Sequence, residues 1–171
     1  KNYDRREFLC SYSSGECPQT DKKLWSKDKL ISYGKLPNNK YMINWPINGN
    51  DYYSNSIEMK AKERLLSYEE AKQKSLRFLY FIQTEMNYTN LSIDYDEYQT
   101  KDGFPVIPYH RESRRSEGIV TLTLNDIKSP YSNNNSIYRT GIAVGDYPVH
   151  HHHGASDNYV HLPRPALSPV P

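Results

Sequence analysis

Residues 67–86 constrain the fold of this chain more than any other segment, because they carry a strong helical pattern. Apolar residues recur along the segment at the spacing of one helix face: Ala71, Phe78, Leu79, Ile82 and Met86. Between residues 76 and 82 nearly every side chain is apolar, which predicts a helix buried on more than one side. Ser67 and Glu70 have the spacing of a capping box and predict that the helix begins there. A weaker helical pattern at residues 56–66 predicts a separate, shorter helix.

The rest of the chain is polar, so its aromatic residues must supply much of the core. Of 171 residues only 36% are hydrophobic, but they include 16 Tyr, 4 Phe and 2 Trp, and each ring can bury a large area. Asn, Pro and Gly are frequent in residues 36–53, which predicts an ordered, turn-rich loop. A chain of this length is typical of one domain.

The charge and the missing motifs exclude several classes of function. Lys and Arg number 22 against 20 Asp and Glu, a net charge of +2, and this balance indicates no nucleic-acid partner. No apolar stretch is long enough to predict a membrane span. The sequence also lacks Gly-x-Gly-x-x-Gly, so it has no dinucleotide-binding unit of its own.

The period of the sequence changes to two in its last third. Residues 118–124 alternate in the manner of a strand, and residues 137–144 and 147–152 predict one or two more. Together with the helix, these segments predict the α+β class. We expect a few-stranded, mostly antiparallel sheet, one long helix at about 67–86 and extensive ordered loops.

The two cysteines, Cys10 and Cys17, are seven positions apart. A local disulfide is sterically possible at this separation. Two free thiols are equally compatible with the sequence, because nothing in it indicates the redox compartment. Two thiols alone are too few ligands for a zinc site.

Two polar clusters are candidates for chemistry. The first contains Arg111, Arg114 and Arg115, within the five residues that follow Tyr109 and His110. Guanidinium groups are suited to binding carboxylates or phosphates. The alternative is a solvated segment whose charge is neutralised by neighbouring glutamates. Residues 150–153 are four histidines. Imidazoles exchange protons near neutral pH, whereas a metal site would need a further ligand and supporting carboxylates.

Four segments, in the same order, resemble a bacterial family of FAD-dependent oxidoreductases that includes flavoproteins of the glutathione-reductase type. The sequence Arg-Glu-Ser-Arg-Arg at 111–115 matches the R-E-[SA]-R-R segment of that family and leads through Gly118 into a predicted strand. The segment Gly-Asp-Tyr at 145–147 resembles one that ends in a His pair, here His152 and His153. Residues 36–44 and 79–83 resemble the loop and the long helix of the family, and the likeness extends over about 36–165.

The resemblance implies an enzyme that transfers a hydride between an unknown small substrate and FAD. It implies that residues 1–162 are the substrate-side, cap-like domain and that 163–171 are a Pro-rich connector towards an FAD-binding segment that this chain lacks. We therefore expect the chain alone neither to hold FAD tightly nor to turn over.

The site residues implied by the resemblance fall into two groups. His152, His153 and Arg115 would be catalytic, whereas Arg111, Arg114 and Tyr109 would face substrate or cofactor. His150 stands where the family usually has an acidic residue, so that position has no assigned role.

The partners expected are the FAD-binding domain of the same protein, a small-molecule substrate and, through an exposed apolar face, a second copy of the chain. Neither nucleic acid nor a membrane is expected, and a soluble bacterial protein of the cytoplasm or periplasm fits this reading. Two alternatives stay open. One is a non-catalytic module that binds carbohydrate or peptide through the loop at 36–53, and the other is a metal-binding protein built on the histidine tract.

Overall fold

The computed structural model describes residues 3–18, 24–45 and 48–110. In this part, helix α1 is Lys27–Tyr33, α2 is Ala61–Thr84 and α3 is Tyr95–Tyr98. Two short 3-10 turns, Arg5–Glu7 and Leu9–Ser11, precede them. The chain divides into two units, 1–113 and 114–171, and the described residues all belong to the first. None of the described helices combines the length and apolar character that a bilayer crossing requires.

Helix α2 begins earlier than the sequence predicts. It starts at Ala61, and the backbone N–H of Lys60 donates to the Glu63 carboxylate at 3.2 Å. The predicted start at Ser67 is wrong: Ser67 is buried inside the helix, and its hydroxyl lies 2.6 Å from that of Ser54. The residues before Ser67 are good helix formers, so nothing ends the first helical pattern before the second begins. The two predicted helices are therefore one from residue 61 onward.

The core forms between one face of α2 and the aromatic residues before it. Phe78, Phe81 and Ile82 of α2 are fully buried, as is Phe8. The Phe8 ring centroid lies 5.2 Å from that of Phe78 and 5.6 Å from that of Phe81, a normal separation for aromatic pairs. Leu76 on the opposite face is exposed. The expectation of burial on more than one side is therefore not met in the described part.

The loop after α1 contains a tight reversal. Asn38 and Asn39 both have positive φ, at 61° and 56°, as in the type I′ turns that join antiparallel chains. Lys35 and Tyr41 form an isolated antiparallel bridge across it. Gly34 allows this close approach, since a Cβ there would lie 2.2 Å from the Met42 carbonyl oxygen. These contacts order residues 35–42, the first part of the loop predicted at 36–53.

The predicted α+β class with a few-stranded sheet is wrong for the part that the structure describes. Residues 3–18, 24–45 and 48–110 form helices and loops with no sheet. The strand patterns came from 118–124, 137–144 and 147–152, which lie outside the described residues. In the described part, aromatic side chains of irregular segments pack directly on α2, so the core is closed there without a strand ladder.

A disulfide joins Cys10 and Cys17, with their Cα atoms 4.9 Å apart. The alternative left open by the sequence is thereby decided for a bridge. The loop that it closes carries Glu16, which pairs with Arg5 at 2.9 Å. Arg5 also contacts Glu85, just after α2, at 3.2 Å. The bridge therefore helps to hold the N-terminal segment against the end of the long helix.

Candidate functional site

Three polar side chains contact one another at His110, the residue directly before the arginine-rich segment at 111–115. The Nε2 atom of His110 lies 3.1 Å from the Tyr68 hydroxyl, and its Nδ1 atom lies 3.4 Å from the Ser56 hydroxyl. Tyr68 belongs to α2, and Ser56 belongs to the turn that precedes this helix. We refer to these residues as the Ser56–His110–Tyr68 cluster.

Helix α2 also fixes the position of Ser56. Arg64, one turn before Tyr68, donates from Nε to the Ser56 carbonyl at 2.8 Å and from Nη2 to the Met59 carbonyl at 3.0 Å. Hydrogen bonds from a charged group are among the stronger ones in proteins. Ser56 is 2% exposed, so the hydroxyl that faces Nδ1 is held from inside the domain.

The other two members of the cluster face outward. His110 is exposed and Tyr68 is half-buried, and their ring centroids are 5.6 Å apart. A neutral imidazole has one donor and one acceptor nitrogen, and a hydroxyl can fill either role. Both tautomers of His110 can therefore form both contacts. The arrangement places an imidazole within hydrogen-bond distance of a phenol at a solvent-exposed position.

The structure locates one of the six site residues that the sequence predicts. The Tyr109 side chain is 78% exposed and stands beside His110 in the chain without joining the cluster. The other five, Arg111, Arg114, Arg115, His152 and His153, lie outside the described residues.

Sequence reasoning missed Ser56 and Tyr68. They are 54 and 42 positions from His110, and no local pattern connects hydroxyl residues over such separations. The only signal was His110 itself, next to the arginine-rich segment. A helical projection of α2 could have placed Tyr68 near Arg64, but could not have brought His110 to it.

The described residues do not fit the pyrophosphate of FAD. All four arginines of this part are already engaged within the domain: Arg5 with Glu16 and Glu85, Arg6 with Asp4, Arg64 with backbone carbonyls, and Arg77 with Glu7. A phosphate cradle also needs a glycine-rich turn of converging N–H groups, and Gly34 and Gly49 instead pack against the backbone of Met42 and Trp45. No group of three or more His, Cys, Asp or Glu in the same part is placed to hold a metal ion.

The loop proposed for carbohydrate or peptide binding uses its central residues internally. Trp45 is 8% exposed, and its Nε1 donates to the Ser11 carbonyl at 2.8 Å. Asn50 accepts from the Trp45 backbone N–H at 2.9 Å and donates to the Ile43 carbonyl at 2.8 Å. The indole and this amide are therefore not available to grip a ligand, whereas Tyr53 of the same loop is exposed.

Comparison with known proteins identifies the family of the chain. The family model described as FAD dependent oxidoreductase matches residues 3–168. No curated protein and no solved structure matches the chain. The matched range contains the whole Ser56–His110–Tyr68 cluster and all six predicted site residues.

Proposed function

Because this chain belongs to the FAD dependent oxidoreductase family, we propose that it forms the substrate-binding, cap-like part of a flavoprotein that transfers a hydride between a small substrate and FAD. The family match over residues 3–168 carries the proposal. In such proteins the cofactor supplies the redox chemistry and the protein supplies binding and orientation. The described residues do not fit FAD, and the chain lacks Gly-x-Gly-x-x-Gly throughout, so we assign cofactor binding to another segment of the same protein and substrate binding to this one.

The arginine-rich segment would hold an anionic group of the substrate. Arg111 and Arg114 would bind a carboxylate through paired N–H donors. Arg115 would stabilise negative charge that develops during the reaction. The residues just before the segment support this placement, since Val106, Ile107 and Tyr109 are strongly exposed and offer an apolar surface for the substrate or the FAD-binding domain.

The two histidines of the second segment would exchange protons with the substrate. Imidazoles are suited to this because they change protonation near neutral pH. His152 and His153 are adjacent in the chain, and single substitutions would separate their contributions.

The first experiment records the visible absorption of two proteins after incubation with FAD and gel filtration. One is the chain of residues 1–171, and the other is the complete gene product. We expect flavin to remain with the complete product and to be lost from the chain. Flavin retained by the chain would contradict the assignment of cofactor binding to another segment. A complete product without flavin would contradict the proposed function as a whole.

The second experiment tests the arginines with Arg114→Gln in the flavin-loaded complete product. A panel of small hydroxy and amino acids serves as reductant, and steady-state reduction of an added redox dye by the reduced flavin is the readout. Loss of one charged hydrogen bond should raise KM by about 10- to 100-fold with little change in kcat. Arg6→Gln is the matched control, because Arg6 is exposed and contacts only its neighbour Asp4 among the described residues. An equal effect of both substitutions would contradict the role of Arg114.

A further inference from the structure

We propose that Tyr68 and His110 form a proton-transfer pair, with the Tyr68 hydroxyl as the group that meets the substrate and Ser56 as a positioning residue. The distances that carry this are 3.1 Å from Tyr68 to Nε2 and 3.4 Å from Ser56 to Nδ1. The pair would serve the hydride transfer proposed above and in that respect rests on the proposed function. Its acid–base behaviour is a property of this chain alone.

The proton movement balances without a further reactant. A substrate O–H or N–H bond breaks as its proton moves to the Tyr68 oxygen, and the Tyr68 O–H bond breaks as its proton moves to Nε2. The imidazole becomes an imidazolium with the positive charge shared between its nitrogens, and the substrate oxygen or nitrogen keeps the electron pair. The reverse sequence returns the proton. The substrate class is therefore an alcohol or an amine, or in the reverse direction a carbonyl or an imine.

This direction requires one tautomer of the neutral ring. Nε2 must accept from Tyr68, so the ring hydrogen lies on Nδ1 and is donated to the Ser56 hydroxyl. Ser56 is suited to hold the ring in position because it is buried and its backbone carbonyl accepts from Arg64. Its 3.4 Å contact is long for a hydrogen bond, and contacts of this kind often shorten only when substrate is bound.

The first test determines the tautomer of His110 by two-bond ¹H–¹⁵N correlation in the labelled chain, above the pH at which the imidazole loses its charge. His110→Gln assigns the signal among the 6 histidines. We expect the Nδ1–H tautomer in the native chain and a shift to the Nε2–H tautomer, which free histidine prefers, in Tyr68→Phe. Tyr98→Phe is the control, since Tyr98 is an exposed tyrosine of α3. An Nε2–H tautomer in the native chain would overturn the proposal.

The second test distinguishes proton transfer through Tyr68 from mere shielding of the ring. The probe is 5-nitrobenzisoxazole, whose ring opens when an accessible base removes its C–H proton. We expect Tyr68→Phe and His110→Gln each to lower the chain-dependent rate by about tenfold, a modest part of the usual acid–base contribution. If Tyr68 only covers Nε2, Tyr68→Phe will raise the rate by exposing the ring. An increased or unchanged rate overturns the proposal.

Failure of the pair and failure of the proposed function are distinguishable. Neither the tautomer nor the rate with 5-nitrobenzisoxazole involves flavin, so both report on the pair alone. A positive result in both tests, combined with a complete gene product that binds no flavin, would keep the acid–base pair and reject the oxidoreductase role. Flavin binding with negative results in both tests would reject the pair and keep the role.

Discussion

Removal of the Cys10–Cys17 disulfide should lower the stability of the domain by a calculable amount. The bridge spans a sequence separation of 7, and its main effect is to restrict the unfolded chain. The double substitution Cys10→Ala/Cys17→Ala removes that restriction and leaves the unfolded chain more conformations. Because Cys10 is almost buried, the alanine also removes a small packed side chain, and this second contribution needs its own control.

The magnitude follows from the length of the closed loop. For a loop of this size, the chain-entropy relation gives a loss of about 2.4 kcal/mol at 25 °C. With a urea m-value of about 2 kcal/mol/M, the unfolding midpoint should fall by about 1.2 M. Native protein with the disulfide reduced serves as the control, because it retains both cysteine side chains. Its free energy of unfolding should fall by nearly the same amount as that of the double variant. Any additional loss in the double variant measures the packing of the Cys10 side chain.

The assay is urea unfolding followed by tryptophan fluorescence. Trp45 is suited to report the event, since its indole N–H is bonded to the carbonyl of Ser11, the residue after Cys10. Far-UV circular dichroism, dominated by α2, provides an independent second probe. Coincident transitions would justify the free-energy comparison. A midpoint shift below about 0.3 M in both the reduced protein and the double variant would refute the reasoning.

Three further predictions concern the described part of the chain. Phe81→Ala, in the buried face of α2, should cost about 3–5 kcal/mol in urea unfolding, whereas Leu65→Ala on the exposed face should change stability by about 0.5 kcal/mol or less; similar losses would contradict the assignment of faces. Asn39→Val should destabilise the domain by about 1–3 kcal/mol, because a β-branched residue is strained at the φ of 56°. Thermal unfolding measures the loss, and the control Asn39→Gly should leave the stability nearly unchanged. The O–H of Tyr88 donates to Asp28, which raises the pKa of Tyr88 from 10.0 to about 12. The stability from this bond should be fully present below pH 10 and lost as the pH rises to 12. The native chain and Tyr88→Phe should therefore differ in urea midpoint below pH 10, and the difference should vanish as the pH approaches 12. A difference that persists at pH 12 would show that it does not come from the hydrogen bond to Asp28.

The sequence predicted the existence of α2 because a long periodic segment is the strongest local signal of a helix. It misplaced the start because Ser67 and Glu70 match a capping pattern that the structure does not use. Instead, the Ser67 hydroxyl contacts Ser54, which is a tertiary contact. The periodicity of residues 78–82 correctly indicated burial. Whether Leu76 is also buried depends on what packs on the opposite face, and no sequence pattern states that.

The candidate site also depends on tertiary contacts that no local sequence pattern reveals. The position of His110 beside the arginine-rich segment was evident in the sequence, but its contacts with Ser56 and Tyr68 arise from folding over 54 and 42 positions. The disulfide was also undecided, because a separation of seven permits a bridge without requiring one. Family resemblance was easier to recognise than fold class, since it depends on residue identities that survive in short segments, whereas a sheet depends on the pairing of distant strands.

A count of charges treats all arginines alike. The structure distinguishes them by whether the guanidinium already has hydrogen-bond partners within the domain. The four arginines of the described part are each bonded within the domain, Arg77 for example to both oxygens of Glu7. A guanidinium that is so engaged would have to give up its partner before it could bind a ligand. Arg114 differs from them in its setting, three positions before Glu117 in a segment with two other arginines. If Glu117 only neutralises it, Arg114→Gln will leave KM unchanged, whereas a raised KM requires that the guanidinium be free for the substrate when the substrate arrives.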